Sequence, residues 1–234
     1  MKKYVIGVDL GGTKISTAIS TIEGNILANV VLPTKAEEGE VAVLGRIVQS
    51  IDEVIVGSST SIDEVEAIGI GSPGPLDAKK GIIITTPNLP FKDYNLVQPL
   101  KEKYNIPVYL DNDANAAAIG EYMFGAGKGK ESIVYFTVST GVGGGAVLDG
   151  KVYRGHTSNA LEIGHTTVNP NGPRCNCGNL GCLEAMSSGT AIAKKGKEAV
   201  STNVETSLKK YDTVTSYEVF KEAEAGDEVA KDII

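Results

Sequence analysis

Three cysteines and one histidine in a glycine-rich stretch limit what this chain can build more than any other feature. Cys175, Cys177 and Cys182 fall inside eight consecutive positions, and His165 stands just upstream. Three thiolates and an imidazole make a tetrahedral zinc set. A disulfide reading leaves one thiol over, and nothing else marks a secreted chain. Gly178 and Gly181 let the backbone turn sharply between the thiolates, and Pro173, Asn176 and Asn179 add turn chemistry, so the segment has almost no apolar surface of its own to bury. It is expected to depend on the metal for its order. A structural zinc contributes on the order of 10 kcal/mol of apparent binding free energy, comparable with the stability of a whole domain. Glu162 lies three positions before His165, and Glu184 two after Cys182, so ordering the metal also fixes two carboxylates near one another. The expectation is a carboxylate-lined polar pocket braced by zinc.

With 234 residues, 41% hydrophobic and 22% charged, the chain has the make-up of an ordinary soluble globular protein with room for two modest lobes. It has no Trp and four Phe, which points to an aliphatic core. A net charge of -7 without a clustered basic patch argues against a nucleic-acid surface. Lys2 and Lys3 precede an apolar run that stops at Asp9, too short for a signal-peptide core, and no apolar stretch approaches the roughly 18 residues of a membrane span. The expected location is the cytoplasm, where thiols stay reduced and available to zinc.

Along the chain, residues 4–10, 15–20 and 26–31 read as an antiparallel meander, with a Gly11-Gly12-Thr13-Lys14 turn after the first strand. That turn is a plain hairpin connection or, with Asp9 holding hydrated magnesium and backbone N–H groups facing phosphate, a nucleotide element. Val41, Leu44, Ile47, Val48, Ile51, Val54 and Ile55 recur at helical spacing. Residues 65–70 form the next strand and run into a formal G-x-G-x-x-G, residues 69–74. Pro73 and Pro75 prevent the helix that a dinucleotide site requires there. Residues 82–85 and 106–110 read as strands, 96–104 as a short helix, and 114–122 as a helix behind Asp111-Asn112-Asp113. An acid before Ala-rich sequence is an ordinary N-cap; a carboxylate at a strand end can also take the proton of an attacking hydroxyl. Residues 125–130 lack the Walker spacing and form no P-loop. Residues 132–139, a turn at 140–145 and a strand from 146 repeat the opening pattern of strand, glycine-rich turn and strand. Residues 186–200, 217–225 and 227–234 read as helices, and 201–215 as a loop.

E-I-G-H at 162–165, C-x-C-G-x-x-G-C-x-E at 175–184, D-L-G-G-T-K at 9–14 and D-N-D-A-N at 111–115 together resemble the ROK family of sugar kinases and repressors, and most of all its bacterial ATP-dependent glucokinases. The resemblance implies an α/β fold of the duplicated ribonuclease-H-like kind shared by actin, sugar kinases and heat-shock ATPases. Its lobes would be an N-terminal one at 1–113 and a C-terminal one at 114–234, the latter cut short because family members run further. It implies ATP-dependent phosphorylation of a hexose, with glucose as first choice and fructose, mannose and N-acetylmannosamine as alternatives. Asp113 would be the catalytic base. Gly74, Asn88, Asn112, Asp113, Glu162, His165 and Glu184 would contact the sugar. Asp9, Gly11, Gly12, Thr13 and Lys14 would form the first phosphate motif, and Thr140, Gly141 and Gly143 the second, around magnesium-bound ATP. His165, Cys175, Cys177 and Cys182 would hold a structural zinc, and the full-length protein would be a homodimer without nucleic-acid or membrane partners. Two rivals remain. A repressor carries a helix-turn-helix before the first phosphate motif, whereas here only a few residues precede Tyr4; a sugar-binding fragment without turnover is the other. Leu161 stands where the family usually has Gly, and a branched side chain is strained there if φ is positive.

Overall fold

The computed structural model describes residues 2–86 and 88–234. Its largest sheet has five strands. β1 (Tyr4–Leu10), β2 (Lys14–Thr21) and β3 (Ile26–Pro33) form the expected meander, and β4 (Val65–Ser72) then runs parallel to β1. Between them α1 (Glu40–Gly57) buries Val43, Ile47, Ile51 and Val54 on the sheet, leaving Glu40 and Glu53 exposed. Each fully buried aliphatic side chain of this kind contributes about 1.5–3 kcal/mol. Under the helix the buried polar pair Thr17 and Ser50 is joined by a 2.7 Å hydrogen bond.

A small second sheet follows, made of β5 (Leu76–Asp77), β6 (Ile82–Thr85) and β7 (Lys92–Asn95). Helix α2 (Val97–Tyr104) leads into β8 (Val108–Asn112), which pairs parallel to β4 and completes the large sheet in the order β3-β2-β1-β4-β8. Three parallel strands, β1, β4 and β8, therefore end on the same edge. Helix α3 (Asp113–Met123) starts at that edge and packs on β4 and β8.

Next come β9 (Ile133–Val138), β10 (Val142–Leu148) and β11 (Lys151–Val152), in the sheet order β11-β10-β9. This repeats the β3-β2-β1 arrangement, the duplication expected from the two strand–glycine–strand units. One detail differs from expectation. Gly143, Gly144 and Gly145 lie inside β10, and the turn is confined to 139–141. Gly144 and Gly145 serve close packing: a Cβ at Gly144 would stand 2.7 Å from Ile163 Cδ1, and one at Gly145 2.5 Å from the Ala114 carbonyl oxygen and 2.8 Å from the Ala118 Cβ on α3.

The remaining helices are α4 (Leu183–Ser187), α5 (Gly189–Val200), α6 (Ser216–Glu224) and α7 (Glu228–Ile233). What reads as one helix from 186 is two, because Ser188 is extended and caps α5 by accepting from Ala191 N. Ile192, Leu208, Val214, Val219, Ala223 and Ala230 form a small separate core here. By packing, the chain divides into one unit of Met1–Tyr135 with Gly145–Ala160 and another of Phe136–Gly144 with Leu161–Ile234, so α3 belongs to the first. Among the described residues no helix is long and apolar enough to cross a membrane.

Candidate active site and metal centre

In the first unit the candidate residues collect at the carboxyl ends of the parallel strands, the edge where open α/β sheets bind ligands. The register sets Asp9 of β1 beside Gly71 of β4, and Gly71 beside Asp111 of β8. Gly71 leaves room for the start of α3: a Cβ there would lie 3.5 Å from the Asp113 Cα and 3.3 Å from the Ala116 Cβ. Asp113 is exposed. Partial burial, and then the negative charge of Asp113, raise the pKa of Asp9, with Lys14 opposing. Two carboxylates that sense each other at a strand edge make an attractive seat for a cation or for a proton in transit.

Asn112 is the N-cap of α3; its Oδ1 accepts from Ala114 N at 2.9 Å and from Asn115 N at 3.3 Å. The cap is therefore the Asn rather than either neighbouring Asp. Asp111 is tied down instead, receiving Arg154 Nε at 2.7 Å, Arg154 Nη2 at 2.6 Å and Asn115 Nδ2 at 3.1 Å. Asp113 accepts only from Ala114 N, at 2.8 Å, and among the described residues it has no ion-pair partner.

The Gly11–Lys14 turn closes with Gly11 N donating to Lys14 O at 3.0 Å. Thr34, fully buried, fastens it from outside by donating through Oγ1 to Gly11 O at 2.6 Å, while its own N–H donates to Thr13 O at 2.9 Å. Arg46 in turn donates to Thr34 O at 3.0 Å. Neither Thr34 nor Arg46 carries a motif, and only the fold shows their role. Asn88 rests directly on this turn, its Cβ 2.6 Å from where a Cβ of Gly12 would stand. The buried side chains of Leu89 and Phe91 anchor the Asn88 loop.

In the second unit, the 139–141 turn is held by several partners. Glu184 Oε2 accepts from Val142 N at 3.0 Å and would lie 2.5 Å from a Cβ on Gly141. Gly189 N donates to Ser139 O at 2.8 Å, and Thr190 Oγ1 to Thr140 O at 2.8 Å. A cleft of about 850 Å³ opens beside this turn, lined by Thr140, Thr190, Lys194, Lys197 and Phe220 among others. That volume is in the range of small-molecule sites.

His165 ends a single 3-10 turn, Ile163–His165, whose Gly164 abuts β10 so tightly that a Cβ would lie 2.0 Å from Val142 O. The ligand atoms of His165, Cys175, Cys177 and Cys182 all lie within 4.8 Å of one another. Cys175 Sγ is 3.7 Å from His165 Nδ1, and Cys177 Sγ is 3.6 Å from Cys182 Sγ. Burial, with the neighbouring sulfurs of Cys177 and Cys175, pushes the Cys182 thiol up to about 12. A cation among them would reverse that, so the four side chains fit a metal ion. Glu162, next to the turn, is exposed, and Leu161 before it has φ of 63°, the left-handed region.

The family model described as "ROK family" matches residues 5–234. This chain belongs to the ROK family. The family relatives include the glucokinase of Halalkalibacterium halodurans, 37% identical over 237 residues, covering 99% of this chain and 72% of the relative. The glucokinase of Thermotoga maritima is 44% identical over 194 residues, covering 82% of this chain and 60% of the relative. Among solved ROK structures, the Streptomyces griseus glucokinase in complex with glucose and AMPPNP is 33% identical with a TM-score of 0.78, covering 98% of this chain and 74% of that one. The α/β fold is thus the one ROK sugar kinases share.

Proposed function

We propose that the protein transfers the terminal phosphoryl group of ATP to a hexose, glucose being the first choice. The observation that carries this reading is the exposed Asp113, held by the Ala114 amide but by no cation among the described residues, whose charge reaches Asp9 at the strand edge where Asn88 and the Gly12 turn also meet. Asp113 accepts the proton of one sugar hydroxyl as its oxygen attacks the γ-phosphorus. The bond from that phosphorus to the bridging oxygen then breaks, and its electron pair leaves with ADP. Because the transfer is loose, the protein mostly positions groups and balances charge. Gly11, Gly12, Thr13 and Lys14, with Thr140, Gly141 and Gly143, are the phosphate contacts. Asn88, Asn112, Gly74, Glu162, His165 and Glu184 are the sugar contacts. Magnesium carried with ATP would supply charge neutralisation at the phosphates, and Asp9 would be the residue that holds it.

The four-ligand set suits zinc in particular. A tetrahedron with Zn–S bonds of about 2.3 Å has sulfur–sulfur edges of about 3.8 Å, close to the observed 3.6 Å. Its chemistry would be structural, holding the 165–182 segment in shape, and a cytoplasmic location keeps its thiols reduced. Magnesium, zinc, a homodimeric assembly and the cytoplasmic location are all parts of this reading.

A coupled ATP assay across a hexose panel tests it. Turnover with glucose at a rate well above the other hexoses is expected. No turnover with any hexose would overturn it; retained sugar binding would then favour a binding protein. The zinc part is tested separately, by metal analysis and by melting with and without a strong chelator. Equal melting temperatures would remove it.

A further inference from the structure

Asn159 and Asn112 turn opposite ends of their amides toward the bare backbone of Gly74. A Cβ on Gly74 would stand 3.7 Å from Asn159 Oδ1 and 3.9 Å from Asn112 Nδ2. Both orientations are dictated by backbone partners. Asn159 donates through Nδ2 to the Thr157 carbonyl at 2.7 Å, and a carbonyl only accepts, so Oδ1 must face the other way. Asn112 Oδ1 accepts from two N–H groups of α3, so its Nδ2 must point away from the helix. Among the described residues neither inward atom has a hydrogen-bond partner. One acceptor and one donor thus flank a gap that only the missing side chain of Gly74 leaves open.

We propose that Asn159 is a specificity-determining residue of the sugar site. With Asn112 it forms an acceptor–donor pair that reads two neighbouring hydroxyls of a pyranose, one donating to Asn159 Oδ1 and the other accepting from Asn112 Nδ2. Such a pair discriminates between epimers, because inverting one carbon moves one hydroxyl off its partner and leaves a polar protein atom unsatisfied. The inference rests on the hexose reading above and adds to it a residue outside the shared motifs. Its local setting explains why the sequence hides it: Ser158, with φ of 64°, turns the chain so that Asn159 meets Gly74 from across 85 positions.

Calorimetric titration of the full chain with glucose and each monodeoxy-glucose is the test, repeated on Asn159→Ala. Asn159→Ala is expected to bind glucose about tenfold more weakly, the loss of one hydrogen bond to a substrate hydroxyl. One deoxy sugar should bind the unaltered chain and the variant alike, since the hydroxyl and its acceptor are then missing together. Unchanged glucose binding by the variant, or an equal loss for every deoxy sugar, would overturn the inference and leave the hexose reading standing. If the unaltered chain binds no hexose, both fall. Should Asn159→Ala not fold, Gly74→Ala asks the same question. Its methyl would meet nothing closer than Leu76 N at 3.5 Å, so the fold should persist while glucose binding drops at least tenfold; undiminished binding would refute the proposal.

Discussion

Gly12 and Asn88 touch backbone to side chain: a Cβ on Gly12 would stand 2.6 Å from the Asn88 Cβ and 2.9 Å from the Asn88 carbonyl oxygen. The Gly11–Lys14 turn, proposed to hold phosphate, and the Asn88 loop, proposed to face the sugar, therefore share a wall. Gly12→Ala is expected to push the two apart. Overpacking of this sort costs about 1–3 kcal/mol, and KM should rise for ATP and hexose together. Steady-state kinetics with each substrate varied in turn would show it; a rise for ATP alone would mean that the wall is not shared.

Asp113→Asn keeps an oxygen to accept from Ala114 N, as Asp113 Oδ1 does at 2.8 Å, so α3 should be undisturbed. What goes is the proposed proton acceptor. We expect kcat to fall about 10²- to 10⁴-fold while the hexose Kd moves only a few-fold. A variant retaining near-normal kcat would place the base elsewhere.

Leu161 sits at φ of 63°, where a branched side chain is strained by about 1 kcal/mol. Leu161→Gly should relieve that strain, raise the melting temperature by about 2–4 °C and increase sugar affinity through the adjacent Glu162. Differential scanning calorimetry with a sugar titration decides it. A lower melting temperature would show that the side chain contributes more by packing than it loses by conformation.

Glu222 in α6 is held at a pKa of about 2 by hydrogen bonds from Lys210, then Ser207 and Tyr211. Its folded value lies below its unfolded value near 4.5, so its contribution is fully present above pH 4.5 and disappears as pH falls toward 2. Glu222→Gln should therefore flatten the acid branch of the stability profile in that window and lower stability at pH 7. Parallel acid branches for the two proteins would contradict the assignment.

Much of this architecture can be read from residue patterns, and the failures are instructive. The opening meander, α1 and β4 follow from alternation and helical spacing because each buries one continuous apolar face. The sulfur–imidazole set follows from spacing alone, since short loops bring its members together whatever the rest of the chain does. Gly143–Gly145 misled because three glycines look like a turn, whereas two of them are bare so that Ile163 and α3 can lie against the strand. β5 and β7 are short, and β7 (Lys92–Asn95) has no apolar alternation to find. Thr34, Arg46, Arg154 and Asn159 act across long sequence separations, and no local pattern marks a residue whose partner lies in another element.

Cys182 is followed directly by α4, and two positions on Glu184 grips the amide of Val142, while Gly164 of the histidine turn presses on the same residue. The cysteine cage and the 139–141 turn are thereby splinted to one another through a single residue. If that turn holds phosphate as proposed, damage to the cage by oxidants or thiol reagents would register first as poor handling of nucleotide, well before the global fold gives way.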